Sequence, residues 1–436
     1  MPSWWITVMS FVTVAALIAL LMSRKFVPTL ILIAVPVISG LLCGFSMAEL
    51  TDYALSGISS MTKTMTMIMF AITFFSTMMD NGVFDVIVNF LLKRMKLNVF
   101  SVMILVFLVT VVTSLDGSCV TTYIITFSMM RPLFKQFKIR ESTLLAMVVM
   151  ISGIMNMVPW GGPTMRLATV VGMDVVEFYM QALPVQIFGL VVCFGVVLFM
   201  AYREVKLGAG LSEGEVVELG EHQVEDRSQG NKPKFIVNCI LIVAAVFFML
   251  KSDFIPNAGM VLMLATVIAF IINYPKMDTQ RKKLIEFSPS ILGIAFTLMG
   301  AGVMTGILKN TNMINQMGLT LAGLLPDMLG RYAHLIVAAL SVPFLMCLDV
   351  DTYCYGILPV FIEVCGAFGV SALGVATAFL LTSGCAAIQP YTASTWVAID
   401  CMDTDLKNYW KHCNKFLWGV LILMLIFGLI IGVNVW

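Results

Sequence analysis

Ser152-Gly-Ile-Met-Asn-Met-Val-Pro159-Trp-Gly-Gly-Pro-Thr164 breaks one apolar run of this chain, and Ser383-Gly-Cys-Ala-Ala-Ile-Gln-Pro390-Tyr-Thr-Ala-Ser-Thr395 breaks another. The two strings align without a gap, 231 positions apart, with Ser, Gly, Pro and Thr at the same four places. A Leu-Asp pair precedes each, Leu115-Asp116 and Leu348-Asp349, 233 positions apart. The first three apolar runs of each half also match, at offsets near 229. Two blocks in the same order, each at a break, make a repeat the better reading than chance. Each repeat then holds five membrane crossings and one paired segment that returns to its own side. An odd number of crossings inverts the second repeat, which is how many secondary transporters are built.

The surrounding composition agrees with a membrane setting. Of 436 residues, 60% are hydrophobic and 12% charged, with 26 Lys+Arg against 25 Asp+Glu and a formal net charge of +1. A soluble domain carries roughly a quarter charged residues. A soluble multidomain enzyme, a disordered chain and a nucleic-acid binder are therefore excluded; the last would need a basic excess. Spans are read near 4–22, 26–45, 62–79, 142–158, 181–201, 235–250, 255–274, 288–308 and 415–435, at about 20 residues each. Residues 1–22 lack a basic leader and a small-residue cleavage site, so they read as a first span. The ten Cys form no CxxC pair and the three His are scattered, so no zinc site is expected. Walker A, GxGxxG and HExxH patterns are missing, which removes support for an ATP-driven pump or a membrane protease.

Charge sets the expected orientation. If residues 23–25 lie inside the cell, 21 of the 26 basic residues fall inside, while the expected outer loops 46–59 and 172–180 carry acids and no Lys or Arg. Both termini are then extracytoplasmic. The segment 202–234 contains Glu213, Glu215, Glu218, Glu221, Glu225 and Asp226 and shows no apolar period. It reads as a cytoplasmic acidic linker between a first repeat, 1–201, and a second, 235–436.

The candidate site comes from what is left at membrane depth. Residues 99–131 read as a re-entrant hairpin whose tip carries Asp116, Ser118, Thr121 and Thr122, because the return arm is short for a span. Charge at mid-membrane costs about 2.5–3.5 kcal/mol or more on insertion scales and marks function. The second hairpin, near 334–367, has Asp349 and Asp351 at its tip. Two carboxylates there suit a hard cation, or a shared proton. The breaks at Gly161, Gly162, Pro163 and Thr164, and at Gln389, Thr392, Ser394 and Thr395, free carbonyls for a cation and turn helix N-termini toward an anion. Arg166 follows the first break; it either binds a substrate carboxylate or pairs with an acid such as Asp116. An amphipathic stretch beginning at Asp80 and running to Lys96 reads as an interfacial helix, and Glu363 as an outer-surface residue.

Ser114-Leu-Asp-Gly, Met155-Asn-Met-Val-Pro-Trp-Gly-Gly-Pro-Thr164, Gly306-Ile-Leu and Gly356-Ile-Leu-Pro-Val360 resemble the citrate–metal:proton symporter (CitMHS) family of the ion transporter superfamily. The resemblance covers nearly the whole chain. It implies an all-α polytopic membrane protein of two inverted repeats, each with a re-entrant hairpin and a broken helix. It also implies a scaffold, a moving transport domain (about 99–172 and 332–400) with elevator-type alternating access, and a homodimer in the plasma membrane of a prokaryote. The cargo it implies is citrate or a related di- or tricarboxylate complexed with Mg²⁺ or Ca²⁺, coupled to H⁺. Neutralising a citrate trianion with a divalent ion makes such cargo less costly to carry. Asp116, Asp349, Asp351 and Asn156 are then the candidate metal ligands. Ser118, Thr121, Thr122, Gly161, Gly162, Pro163, Thr164, Arg166, Gln389, Thr392, Ser394 and Thr395 are the candidate substrate contacts.

The chain departs from the family pattern where it has Ser118 for a second Asp, Asp349 for a Ser, and Ala393-Ser394-Thr395 for Pro-Ser-Thr. One acid has moved from one tip to the other. The competing readings are a sodium-coupled carboxylate carrier, a Na⁺/H⁺ exchanger or an inorganic-oxyanion transporter on the same fold. A membrane enzyme or receptor would need a catalytic constellation or a sensory domain, and the sequence has neither.

Overall fold

The computed structural model describes residues 3–23, 25–84, 86, 98–211, 232–250, 257–348 and 350–434, and within these the chain is helical with no strand. The first half runs α1 (Ser3–Ser23), α2 (Pro28–Leu42), α3 (Met47–Asp80), α4 (Val99–Thr113), α5 (Cys119–Gln136), α6 (Glu141–Met155), α7 (Gly162–Val171) and α8 (Val175–Lys206). The second runs α9 (Lys232–Leu250), α10 (Ala258–Asn273), α11 (Met277–Asn310), α12 (Met313–Ala322), α13 (Asp327–Ala339), α14 (Ser341–Cys347), α15 (Leu358–Gly366), α16 (Ala372–Thr382), α17 (Ala393–Cys401) and α18 (Leu406–Ile430). Among the described residues six helices are long and apolar enough to cross a bilayer, and the bent pair at 372–401 makes a seventh. The protein is a multi-pass membrane protein.

The expected outer loop at 46–59 is not a loop. Ser46 and Glu49 form a reciprocal cap, with Glu49 N–H donating to Ser46 Oγ at 3.3 Å and Ser46 N–H to Glu49 Oε2 at 2.8 Å. This cap starts α3 at Met47, so helix and span are continuous for 34 residues. Its counterpart α11 is also 34 residues long, beginning 230 positions later and 11 residues before the expected start at 288. The expected linker is shorter than 202–234, since α8 continues to Lys206 and α9 begins at Lys232. Its residues 212–231, the basic end of the stretch after Asp80 and Asp349 all lie outside the described residues.

Helices α3 and α11 cross at glycine. A Cβ on Gly57 would strike the Gly302 carbonyl, and one on Gly306 the Tyr53 carbonyl. The run Gly302-Val-Met-Thr-Gly306 thus lets two backbones touch, the usual solution where lipid offers no hydrophobic drive to association. At one end Asp80 joins α3 to α10 and α11: it accepts from Tyr274 OH at 2.6 Å and pairs with Lys283 Nζ at 2.6 Å.

The centre of the molecule is made by α6 and α16. Every residue of α6 from Thr143 to Met155 is buried, as is every residue of α16 from Gly374 to Thr382. A helix apolar on all sides has no solvent face and belongs in the core. The two elements meet where their aligned strings begin. A Cβ on Gly153 would lie 2.9 Å from the Gly384 carbonyl, and one on Gly384 2.8 Å from the Gly153 carbonyl. Equivalent glycines of the two strings therefore hold the halves together backbone to backbone.

Candidate functional site

Arms α4 and α5 fold back on one another. Thr113 Oγ1 and Thr126 Oγ1 lie 3.3 Å apart, and Thr122 Oγ1 donates to Ser114 Oγ at 3.3 Å. The turn needs Gly117, whose φ of 75° is left-handed. Ser118 caps α5, and its N–H donates to Asp116 Oδ1 at 2.8 Å. The other carboxylate oxygen, Asp116 Oδ2, is buried and has no hydrogen-bond partner among the described residues. The Trp160 indole N–H donates to Leu115 O at 2.8 Å and latches the first helix break onto this tip.

Each break is stapled by its own Thr. Thr164 Oγ1 donates to Met157 O at 2.8 Å, and Thr395 Oγ1, 231 positions later, to Gln389 O at 2.6 Å. Both Thr are fully buried. Each hydroxyl satisfies a carbonyl that the interrupted helix cannot. Gly161 is required sterically, because a Cβ there would strike the Asn156 carbonyl. The second break runs through a 3₁₀ turn, Ser383–Ile388, and bends the chain by 44°. Gln389 sits beside it, 1% exposed, with both polar atoms of its amide unpartnered among the described residues.

The second hairpin tip passes from α14 through Leu348, Val350 and Asp351 into a π-helical turn, Thr352–Ile357. Such turns favour functional sites. Arg166, on α7, reaches across to it: Nε donates to Asp351 Oδ1 at 2.6 Å. The side chains are 23% and 18% exposed. Of the two partners the sequence offers, a substrate carboxylate or an acid such as Asp116, the fold supplies an acid, and it is Asp351. Gly162 makes room, since a Cβ there would come within 2.6 Å of Arg166 Nη1.

These elements enclose a cavity of about 670 Å³. Of the expected site residues, Asp116, Ser118, Thr121, Asn156, Gly162, Pro163, Arg166, Thr392 and Ser394 line it. Asp351 is brought to its edge by the ion pair. Thr122, Gly161, Thr164, Gln389 and Thr395 are not in its wall, and Asp349 is outside the described residues. The first turns of α7 and α17 both line it, through Gly162 and Pro163 and through Ala393 and Ser394. Two positive helix ends therefore face one space. Sequence reading missed the far wall: Ser76 on α3, and Pro289, Ser290 and Gly293 on α11. The only signal was Pro289 with small neighbours inside an apolar run. It also missed Phe75, which stacks on Trp160 with ring centroids 4.7 Å apart. Glu363 lies against α12, where a Cβ on Gly318 would strike it. Among the described residues no three His, Cys, Asp or Glu side chains gather as a preformed metal site.

The space is thus lined by donors (a guanidinium, hydroxyls, helix-end amides) and by the acceptor carboxylate of Asp116. It has the chemistry for a ligand that carries both anionic oxygen and a cation. Against this geometry, the model of the citrate transporter family, CitMHS, matches residues 3–273. The chain belongs to that family. Members of the family are transporters, not enzymes. Two relatives from Bacillus subtilis (strain 168) match it end to end. The "Citrate transporter" is 28% identical, over 98% of this chain and 99% of that protein. The "Mg(2+)/citrate complex secondary transporter" is 30% identical over 98% of each. Among solved structures the Alcanivorax borkumensis YdaH transporter, described as having an unusual topology, matches with a TM-score of 0.54. It is 13% identical, over 88% of this chain and 86% of that one, and speaks for the fold alone.

Proposed function

We propose that this member of the citrate transporter family is a secondary carrier of citrate, or a closely related di- or tricarboxylate, bound to Mg²⁺ or Ca²⁺. Coupling is to protons, and transport is by alternating access of the elevator type. The observation that carries the reading is the mixed polarity of the cavity. Arg166, the α7 and α17 amides, Ser118 and Ser394 meet carboxylates, and the free Asp116 oxygen meets the cation. The relatives' printed names support this cargo. Cavity size supports it over cation exchange, because about 670 Å³ suits a small organic ligand better than a bare ion.

The equal 34-residue spans, the stapled breaks at matching positions and the Gly153–Gly384 contact support two inverted repeats. Helices α3 and α11 act as scaffold, and the hairpins with α6–α7 and α16–α17 move against it, as one protomer of a dimer. The basic run Lys276 to Lys283 faces the cytoplasm of a bacterial cell, so both termini are outside and the cavity, lying toward that end of α3 and α11, is the inner one.

In proteoliposomes, labelled citrate uptake is expected to need Mg²⁺ or Ca²⁺ and an inward proton gradient. Uptake that survives both chelation and collapse of the gradient, or that follows a sodium gradient instead, would overturn the proposal in this form. Asp116→Asn is expected to raise the Mg²⁺ concentration needed for half-maximal uptake by roughly tenfold, the loss of one charged ligand oxygen.

A further inference from the structure

The inner cavity meets α11 at Pro289, Ser290, Gly293 and Ile294. Shifted by the 230 positions that separate the two 34-residue helices, these become Ser59, Ser60, Lys63 and Thr64 of α3. Those four residues line a second, smaller cavity of about 260 Å³. The rest of its wall includes Met67, Thr169, Gly172, Met173 and Asp174. The Thr169 hydroxyl there is buried and without a partner among the described residues. The two cavities lie at opposite ends of α7: Gly162 lines the first and Thr169 with Gly172 the second. Ten residues of helix place them about 15 Å apart.

Equivalent positions of two equivalent helices thus wall two spaces, one at each end of the same short helix. Of the four equivalent pairs only Ser60 and Ser290 match, and only one pair differs in charge. Gly293 on the inner wall has no side chain, whereas Lys63 on the outer wall is exposed and makes no ion pair among the described residues. Asp174 lines the same cavity, and its Oδ1 accepts from Val176 N–H at 2.9 Å and Glu177 N–H at 3.3 Å, so its carboxylate is held at the start of α8.

We infer that Ser59, Ser60, Lys63 and Thr64 form the outward-facing wall of the transport site, and that Lys63 is a cargo-attracting cation with no counterpart on the inward-facing wall. This rests on the alternating-access reading above and adds a direction to it. An anionic metal–carboxylate complex meets a lysine without an ion pair among the described residues when it enters from outside, whereas Arg166, the cation lining the inner cavity, is already paired with Asp351. Charge at a low-dielectric mouth raises local ligand concentration, so uptake saturates at lower cargo than efflux.

Two measurements on the full-length chain separate this inference from the reading it rests on. The first is transport in right-side-out and inside-out vesicles with magnesium citrate. Lys63→Gln is expected to raise KM from the outer face by roughly three- to tenfold, about one lost charge contact, while leaving KM from the inner face unchanged. Lys63→Arg is expected to restore the outer KM. An equal change at both faces, or at neither, would sink the role of Lys63.

The second measurement needs no cargo. Ser60→Cys and Ser290→Cys are compared with the parent chain for reaction with impermeant thiosulfonates bearing a sulfonate or a trimethylammonium group. Ser60→Cys is expected to react from outside and to prefer the anionic reagent. Adding Lys63→Gln is expected to remove most of that preference. Ser290→Cys is expected to react only from inside and to ignore Lys63. Reaction of both cysteines from the same face overturns the two-wall arrangement. Failure of wild-type citrate uptake with the thiosulfonate pattern intact overturns only the cargo.

Discussion

Arg166 and Asp351 stand 185 positions apart and are joined at 2.6 Å by the fold alone. The residue types at membrane depth were legible, because charge there is rare enough to single them out. Their pairing was not, since the sequence left Arg166 either a substrate carboxylate or an acid such as Asp116, and only the fold brings Asp351 to it. Arg166→Lys keeps the charge but loses the planar fork, so citrate uptake is expected to fall roughly tenfold or more with the protein still folded. Uptake near wild type in the Lys variant would remove Arg166 from the cargo contacts. Thr164 and Thr395 show the opposite outcome. Their type and spacing stood out, but both hydroxyls are spent on the carbonyls of Met157 and Gln389. Thr164→Val keeps the shape and orphans the buried Met157 carbonyl, and is expected to cost about 1–3 kcal/mol, read as a lower Tm in detergent. An unchanged Tm, with cargo affinity lost, would return Thr164 to the site.

At the scale of elements, the sequence placed the two breaks correctly because Pro and Gly act locally. A Pro removes a helical N–H wherever the chain goes. Span boundaries were harder. The start of α3 depends on the reciprocal Ser46–Glu49 cap, a short-range signal that the outer-loop reading passed over. The crossing of α3 and α11 depends on Gly57 meeting Gly302, which are far apart in the chain. A side chain at Gly306 would separate the helices at the Tyr53 carbonyl. Gly306→Leu is therefore expected to destabilise by about 1–3 kcal/mol or more, since both partners are backbone and cannot repack. Size-exclusion profiles and thermal melts of purified protein check it; wild-type behaviour would show that the helices can part without cost.

Across the whole molecule, separate stretches are tied by a few long-range contacts. Arg140, before α6, pairs with the nearly buried Glu204 at the end of α8 at 2.6 Å, and Thr143 Oγ1 donates to the same carboxylate at 2.6 Å. Arg140→Leu leaves Glu204 with Thr143 as its remaining side-chain partner and is expected to cost about 1–3 kcal/mol. Glu204→Gln should cost less, because a neutral amide is easier to bury unpaired; the reverse order in Tm would refute the assignment. By itself the sequence determined the membrane class, the two repeated breaks, the acids at the tips and the family, because composition, Pro and Gly chemistry and motif strings need no partner in space. Tertiary structure alone decided which acid meets Arg166, which hydroxyls reach the cavity, and that α3 and α11 wall it. Each of those depends on residues tens to hundreds of positions apart, and such a contact exists only once the helices have packed.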